Sequence, residues 1–453
     1  MRSRTSGQEI YERPAELLQQ LIRFDTTNPP GNEAECVTFV QGLLAAAGLE
    51  TTLLARAPER PNLIARLQGR GEAPPLLLYG HADVVTTAGQ QWTYPPFEGQ
   101  IADGYVWGRG ALDMKGAVAM MVAAVLRARA KRLEPAGDVV LAVVCDEEAD
   151  GDYGARYLVE RHAEQFEGIR YALGEAGGFS IQVGRWRFYP IQVAEKQSCW
   201  LRATVRGPCG HGSLPMRGGA MSQLARFLRR LEERRLPVHV TPAVRQMVEA
   251  MGARLPSPAR AALRHALNPA LLGGVMRPWG KQGRLIEPLL RNTVNATIVR
   301  GGEKVNVIPT EITVDLDGRV LPGYGPDDLI AEVRQVAGPE VEIALVSYDP
   351  GPAEPDMGLF GLLAGVLRQV DPGGIPVPLL LSATTDARLF SRLGIQTYGF
   401  TPMQLPADFD FSEVLHAADE RVPVEAVEFG ARAIYQVLQQ CGVSEEGSHA
   451  PSL

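Results

Sequence analysis

A chain of 453 residues, 45% of them hydrophobic, is long enough for two or three domains with a sizeable core. Its net charge of -7 and pI near 5.7, without any basic tract interleaved with aromatics, exclude a surface built to track a phosphate backbone, so no nucleic-acid partner is expected. No apolar run reaches the roughly 18 to 20 residues that span a bilayer, and the stretch after Met1 is polar, which predicts neither a membrane partner nor a signal peptide.

The five cysteines (Cys36, Cys145, Cys199, Cys209 and Cys441) are odd in number and scattered, with no Cys-x-x-Cys pair. That pattern predicts buried thiols in a reducing compartment and hence a cytoplasmic location.

In chain order, apolar spacing predicts a helix over 14–24, stopped by the turn Asp25–Asn32, and a second helix over 33–47. Strands are predicted over 50–54 and 62–67. The run Leu76-Leu77-Leu78-Tyr79 then delivers the chain to Gly80-His81-Ala82-Asp83-Val84-Val85. A histidine and a carboxylate two residues apart allow the Asp to hold the imidazole while the imidazole holds a metal. Alone, this pair is equally a hydrogen-bonded strand end.

Next comes Trp107-Gly108-Arg109-Gly110-Ala111-Leu112-Asp113-Met114-Lys115-Gly116, ahead of a long apolar helix over 116–130. Asp113 has two readings, an N-cap of that helix or a ligand aimed at a site. The strand over 139–145 ends in Asp146-Glu147-Glu148, three carboxylates that either sit in a solvated loop or surround a cation. A further strand, over 171–173, ends in Gly174-Glu175-Ala176. His81 with Asp83, Asp113, Glu147 with Glu148, and Glu175 all fall at or beside strand ends or βα loops, where open α/β sheets bind ligands. One shared site accounts for all of them. So many converging carboxylates require a divalent cation, and the histidine beside them suggests zinc.

From about residue 194 the pattern changes to strand, helix, strand, strand, helix, strand: 200–206, 221–234, 293–299, 311–320, 327–336 and 341–346. This predicts an inserted α+β domain of ferredoxin-like order over 194–350, between catalytic α/β segments 1–193 and 351–453. An additional stretch, 237–291, is mostly helical with proline breaks. The α/β style then resumes with a helix over 359–370, a strand over 377–381 entering Ser382–Asp386, a strand over 396–400, the loop Leu415-His416-Ala417-Ala418-Asp419-Glu420, and a helix over 424–440. The tail 445–453, with His449, is predicted to be disordered.

These motifs together resemble the M20 family of metallopeptidases, the group of glutamate carboxypeptidase, aminoacylase, acetylornithine deacetylase and succinyl-diaminopimelate desuccinylase. The resemblance covers about residues 14–440. It rests on Gly-His-Ala-Asp-Val-Val, Gly-Arg-Gly-Ala-Leu-Asp-Met-Lys-Gly and Asp-Glu-Glu in that order. It implies a zinc-peptidase-like catalytic domain with a mixed central sheet flanked by helices, and a lid or dimerisation role for the inserted domain. It also implies two zinc ions, with cobalt or manganese as substitutes: His81 and Glu175 on one, Glu148 and His416 on the other, and Asp113 bridging. By the same resemblance Asp83 supports His81, Glu147 is the general base of a metal-bridging hydroxide, and His211, in Cys209-Gly210-His211-Gly212-Ser213, lies over the site. Arg319 and Asn306 match positions that hold a substrate carboxylate or line the site. His162, His239, His265 and His449 match no motif and are read as structural.

In that family a glutamate at position 175 goes with acylases and carboxypeptidases. The implied reaction is hydrolysis of an amide in a small substrate with a free carboxylate, a peptide or an N-acyl amino acid, by an enzyme forming a homodimer through the inserted domain. The 237–291 stretch either enlarges the pocket or covers the dimerisation surface. Two other classes remain open: a non-catalytic metal-dependent binding protein of the same fold, which would not need Glu147, and a metal-dependent phosphoesterase, for which a Gly-rich phosphate cradle is missing.

Overall fold

The computed structural model describes residues 7–268 and 287–442, which form two compact units. The tail predicted to be disordered, and part of the 237–291 stretch, lie outside the described residues. The first unit comprises 1–193, 356–377 and 385–453, and the second comprises 194–355 and 378–384. The second unit is therefore not one continuous insertion, because the segment just before Thr385 joins it.

The first unit is built on a mixed sheet. Glu50–Ala55, Pro61–Leu67, Val139–Val144, Leu76–His81, Tyr171–Gly174, Gln396–Gly399, Trp186–Glu195 and Gly374–Leu381 lie side by side in that order. Val139–Val144, Leu76–His81, Tyr171–Gly174 and Gln396–Gly399 run parallel, while the flanking Pro61–Leu67 and Trp186–Glu195 run antiparallel. Parallel strands are buried on both faces, and Leu76–His81 and Val139–Val144 are buried at every residue, as their unbroken apolar runs dictate. Pairing sets His81 opposite Val144 and Leu78 opposite Leu173, so three strand ends open on the same edge of the sheet.

The helix Lys115–Ala130 is apolar nearly all round and buried along almost its whole length, packed against Pro14–Ile22 and the C-terminal helix Val424–Gln440. Pro14 opens its helix at a position where the missing N–H costs nothing. No helix among the described residues is long and apolar enough to cross a membrane.

Two elements were not legible in the sequence. Trp186–Glu195 is a ten-residue strand whose Pro190 argues against a sheet interior. A small sheet of Gln100–Ala102, Tyr105–Trp107 and Arg421–Pro423 joins segments some three hundred residues apart, pairing Trp107 with Arg421.

In the second unit Gln197–Arg206, Thr293–Arg300, Glu311–Val320 and Val341–Tyr348 form an antiparallel sheet. The strand alternation of Gln197–Arg206 buries Cys199, Leu201, Ala203 and Val205 against Ala220–Glu233 and Pro326–Ala337. The 237–291 stretch contributes helices Pro242–Arg254 and Ser257–Ala266. Cys36, Cys145 and Cys199 are buried free thiols as predicted, but Cys209 is exposed, because it lies in the loop that carries His211 and outside any packed element.

Asp371 pins the far end of the first unit's sheet. Its carboxylate accepts from Arg187 Nε at 2.6 Å, Arg187 Nη2 at 2.8 Å and the Tyr189 hydroxyl at 2.8 Å. Burial pushes its pKa up, but these bonds outweigh burial and hold it below the usual carboxylate range. Folding therefore favours the ionised form. The contribution is complete above about pH 4, the unfolded value, and is lost as pH falls through the lower folded value. Asp371→Asn is expected to cost about 2 kcal/mol in urea unfolding at pH 7, with the gap to wild type narrowing as pH falls below about 4.

Candidate metal centre

The parallel strands place His81, Glu147 with Glu148, and Glu175 at neighbouring ends. His81 is buried. Its Nδ1 lies 3.0 Å from the Asp83 main-chain carbonyl and 3.5 Å from Asp83 Oδ1. An Nδ1–H donated to that carbonyl leaves the Nε2 lone pair facing 3.0 Å to Asp113 Oδ1 and 3.7 Å to Glu175 Oε2. The backbone of Asp83 thus orients the ring more closely than its carboxylate does.

The Asp83 carboxylate is occupied elsewhere. It accepts from the Glu147 and Glu148 amides at 3.2 and 3.1 Å and from Asn28 Nδ2 at 2.9 Å. Glu147–Ala149 is a short helical turn entered through Asp146 in the left-handed region, at φ 69°, so this turn needs external support. The solvated-loop reading of Asp146-Glu147-Glu148 does not hold. Asp146 is buried, and Glu147 and Glu148 are half-buried.

Asp113 is not an N-cap: Met114 holds that position and no side chain caps the helix. Its carboxylate stands between two imidazoles, with Oδ2 3.0 Å from His416 Nε2. His416 Nε2 is also 3.3 Å from Glu148 Oε1. The loops bearing Asp113 and His416 are drawn together by Glu420, buried at the end of the small sheet. Glu420 accepts from the amides of Gly110, Leu112 and Asp113 at 3.1, 2.8 and 3.2 Å, and from Arg109 Nη1 at 2.6 Å. Arg109 and Gln90 in turn both donate to the His416 carbonyl.

Two donor groups result, His81 with Asp113 and Glu175, and Asp113 with Glu148 and His416, each with its ligand atoms within 4.8 Å of one another. Donors about 2.0 to 2.2 Å from a tetrahedral ion lie about 3.3 to 3.6 Å apart, and the contacts above scatter around that spacing. Mixed imidazole and carboxylate donors at such distances fit divalent first-row ions.

The charges fit the same description. Burial would lower the His81 pKa, but contacts with Asp113, Asp83 and Glu175 raise it well above its ordinary value. His416 is pushed up to about 10, first by Asp113 and then by Glu148. Burial works to raise Asp113, yet the bonds from His416 and His81 hold it far below the usual range. Glu175 is raised by burial, and Glu147 well above its ordinary value by burial and by repulsion from Glu175. The cluster favours positive charge at its centre.

His211, Asn306 and Arg319 belong to the second unit. His211 is exposed, with Nδ1 2.7 Å from Ser213 Oγ, and its short strand pairs with Val307–Ile308 while Gly212 N donates to the Asn306 carbonyl. Arg319 is held by Asp317, Nε at 2.8 Å and Nη2 at 3.1 Å, and donates Nη1 to Thr384 at 2.7 Å. Of the remaining histidines, His265 is exposed, His162 lies 3.0 Å from the Tyr157 hydroxyl and 3.4 Å from Glu164 Oε1, and His239 lies 2.6 Å from Glu332 Oε1, supplied by a helix remote in sequence.

Asp386 lies in none of the motifs that carry the site. It is 1% exposed, neither of its carboxylate oxygens accepts a hydrogen bond among the described residues, and its pKa is pushed up to about 7, chiefly by burial. The signal was present, since Asp386 follows the strand Gly374–Leu381 as the other carboxylates follow theirs.

A family model described as Peptidase family M20/M25/M40 matches residues 77–440. The chain belongs to this family. Among relatives of this M20 chain, the human N-fatty-acyl-amino acid synthase/hydrolase PM20D1 is 28% identical over 82% of this chain and 75% of that protein. Succinyl-diaminopimelate desuccinylase of Paracoccus denitrificans is 27% identical over 94% of this chain and 98% of that protein. Among solved structures, the M20 family metallo-carboxypeptidase Sso-CP2 of Sulfolobus solfataricus matches with a TM-score of 0.68 at 15% identity, over 95% of this chain and 99% of that one. This M20 protein is accordingly a hydrolase of the metallopeptidase or amidohydrolase kind.

Because Asp113 is common to both donor groups, Asp113→Ala is expected to lower the metal content of the zinc-loaded protein from about two ions per chain to below one, whereas Glu148→Ala removes one. Equilibrium dialysis with elemental analysis reads both.

Proposed function

We propose that this chain hydrolyses the amide bond of a small substrate bearing a free carboxylate, an N-acyl amino acid or the C-terminal residue of a peptide. In this reading two zinc ions are held by His81, Asp113, Glu148, Glu175 and His416, and cobalt or manganese can replace them. The observation that carries it is Glu147. It is a carboxylate beside both donor groups yet a member of neither, and it is raised in pKa by its surroundings. A protein that only bound metal would have no use for it.

A divalent pair bound there supplies Lewis acidity and makes water acidic enough to lose a proton near neutral pH. Glu147 takes that proton on its carboxylate and returns it to the departing nitrogen. His211 is assigned the oxyanion, and Arg319 and Asn306 the substrate carboxylate and the lining, from the motif resemblance. Asp317 and Thr384 fix the Arg319 guanidinium in one orientation, which suits a planar carboxylate. The relatives named for N-fatty-acyl-amino acids and for succinyl-diaminopimelate, both amides carrying carboxylates, support this substrate class. The unpaired cysteines support a cytoplasmic location.

A panel of N-acyl amino acids and dipeptides, assayed with and without zinc, tests the reading. Glu147→Gln is expected to lower kcat on the best substrate about 100- to 10,000-fold with metal content unchanged, and Arg319→Met to act mainly on KM. Equal turnover by wild type and Glu147→Gln would show the mechanism to be wrong.

A homodimer through the second unit is part of the same proposal. Thr293–Arg300 pairs only with Glu311–Val320 among the described strands, and it exposes Ile298 and Val299 along its open edge. Light scattering at micromolar concentration is expected to give twice the chain mass, and Ile298→Glu to shift it toward one chain. A wild-type monomer would remove this part.

A further inference from the structure

Behind the metal centre lies a buried polar chain that none of the motifs describes. Glu33, which precedes the helix Ala34–Ala46, is fully buried and receives a bidentate pair from Arg60, Nη2 to Oε1 at 2.7 Å and Nε to Oε2 at 3.1 Å. The third guanidinium nitrogen, Nη1, reaches Asp146 Oδ1 at 2.8 Å. The same Asp146 oxygen accepts from Asn28 Nδ2 at 3.0 Å, and Nδ2 also donates to Asp83 Oδ2 at 2.9 Å. Asn28 thus spends both hydrogens of one amide joining two carboxylates. Asp83 in turn holds the main-chain amides of Glu147 and Glu148.

Three buried carboxylates held this closely would repel one another without the guanidinium. The chain of contacts also ends on a turn entered through a left-handed non-glycine residue, Asp146, whose other oxygen accepts from Tyr153 N at 3.0 Å. Gly31 is shaped to the same purpose. Its φ is 81°, and a Cβ there would lie 2.3 Å from Arg60 Cζ.

We propose that Arg60, seated on Glu33, is a positioning residue for the general base: through Asp146 and the Asn28 amide it fixes Asp83, and Asp83 fixes the turn that aims Glu147. None of the four residues Glu33, Arg60, Asp146 and Asn28 belongs to a donor group, so their effect on catalysis is carried by geometry alone. The inference rests on the reading of Glu147 as general base, but its physical content, order in the 146–149 turn, is measurable without turnover.

The test uses the full chain, wild type against Asn28→Ala, Arg60→Met and Arg60→Lys. Hydrogen–deuterium exchange by mass spectrometry is followed in peptides covering Glu147 and Glu148 and in peptides covering the strand Val139–Val144. Asn28→Ala and Arg60→Met are expected to speed exchange in the turn about tenfold while the strand is unchanged, and to lower kcat about 10- to 100-fold with KM within about twofold. Arg60→Lys, which keeps the charge and loses the fork, is expected to recover part of the loss. Unchanged exchange and kcat in Asn28→Ala would overturn the proposal. So would faster exchange in turn and strand alike, which marks a merely structural role, or faster exchange in the turn with kcat intact. If Arg60→Met does not fold, Asn28→Ala decides. If the wild type cleaves no amide, the functional reading fails on its own, and the exchange data still decide whether the network orders the turn.

Discussion

The structure depends on one electrostatic constraint: Asp113 lies between two imidazoles, with further carboxylates crowding behind them. Carboxylates removed from water repel one another and resist ionisation, and the fold brings Asp113, Glu147, Glu148, Glu175 and Asp386 to one edge of a sheet. What makes the grouping tenable is positive charge at its centre. Both histidines gain proton affinity from the surrounding acids, His81 in spite of its burial. A divalent cation would meet the same field with twice the charge of an imidazolium, and in place of its proton.

A second layer makes the first one rigid. Asp83 and Glu420 are buried carboxylates, and each gathers amide hydrogens from a turn that carries ligands, two in the case of Asp83 and three in the case of Glu420. Charged acceptors on main-chain donors make strong hydrogen bonds, and here they replace the regular ladder that loops lack. Glu420 is balanced directly by Arg109, whereas Asp83 is linked through Asn28 to Asp146, which pairs with Arg60. Ligand geometry is therefore set by the backbone, which is stiffer than any set of side-chain rotamers.

Much of the site could be read from the sequence because its residues follow a strand. Leu76–His81, Val139–Val144 and Tyr171–Gly174 are apolar runs that announce themselves, and a polar residue at the end of a buried parallel strand has few places to go other than a shared edge. Asp113 was ambiguous from local pattern, since the position ahead of a helix suits a cap and a ligand equally, and the structure separates them by placing Met114 at the cap and Asp113 between His81 and His416. Asn28, Arg60 and Glu420 carried no such signal. Their roles come from contacts across 55 to 118 positions for Asn28 and 307 to 311 for Glu420, which no periodicity encodes. The strand Trp186–Glu195 was hidden for a different reason, its proline, which a strand bordering the parallel core accommodates because it pairs with its neighbour Gln396–Gly399 at a single registered position.

The small sheet that pairs Tyr105–Trp107 with Arg421–Pro423 has a consequence for the order in which the chain matures. His81, Asp113 and Glu175 all leave the ribosome before His416, which arrives together with the strand that docks it. Yet the loop that carries Asp113 is anchored by Glu420, from the same segment as His416, so neither donor group is set before that segment docks. Docking of this segment thus fixes ligands of both donor groups in one step.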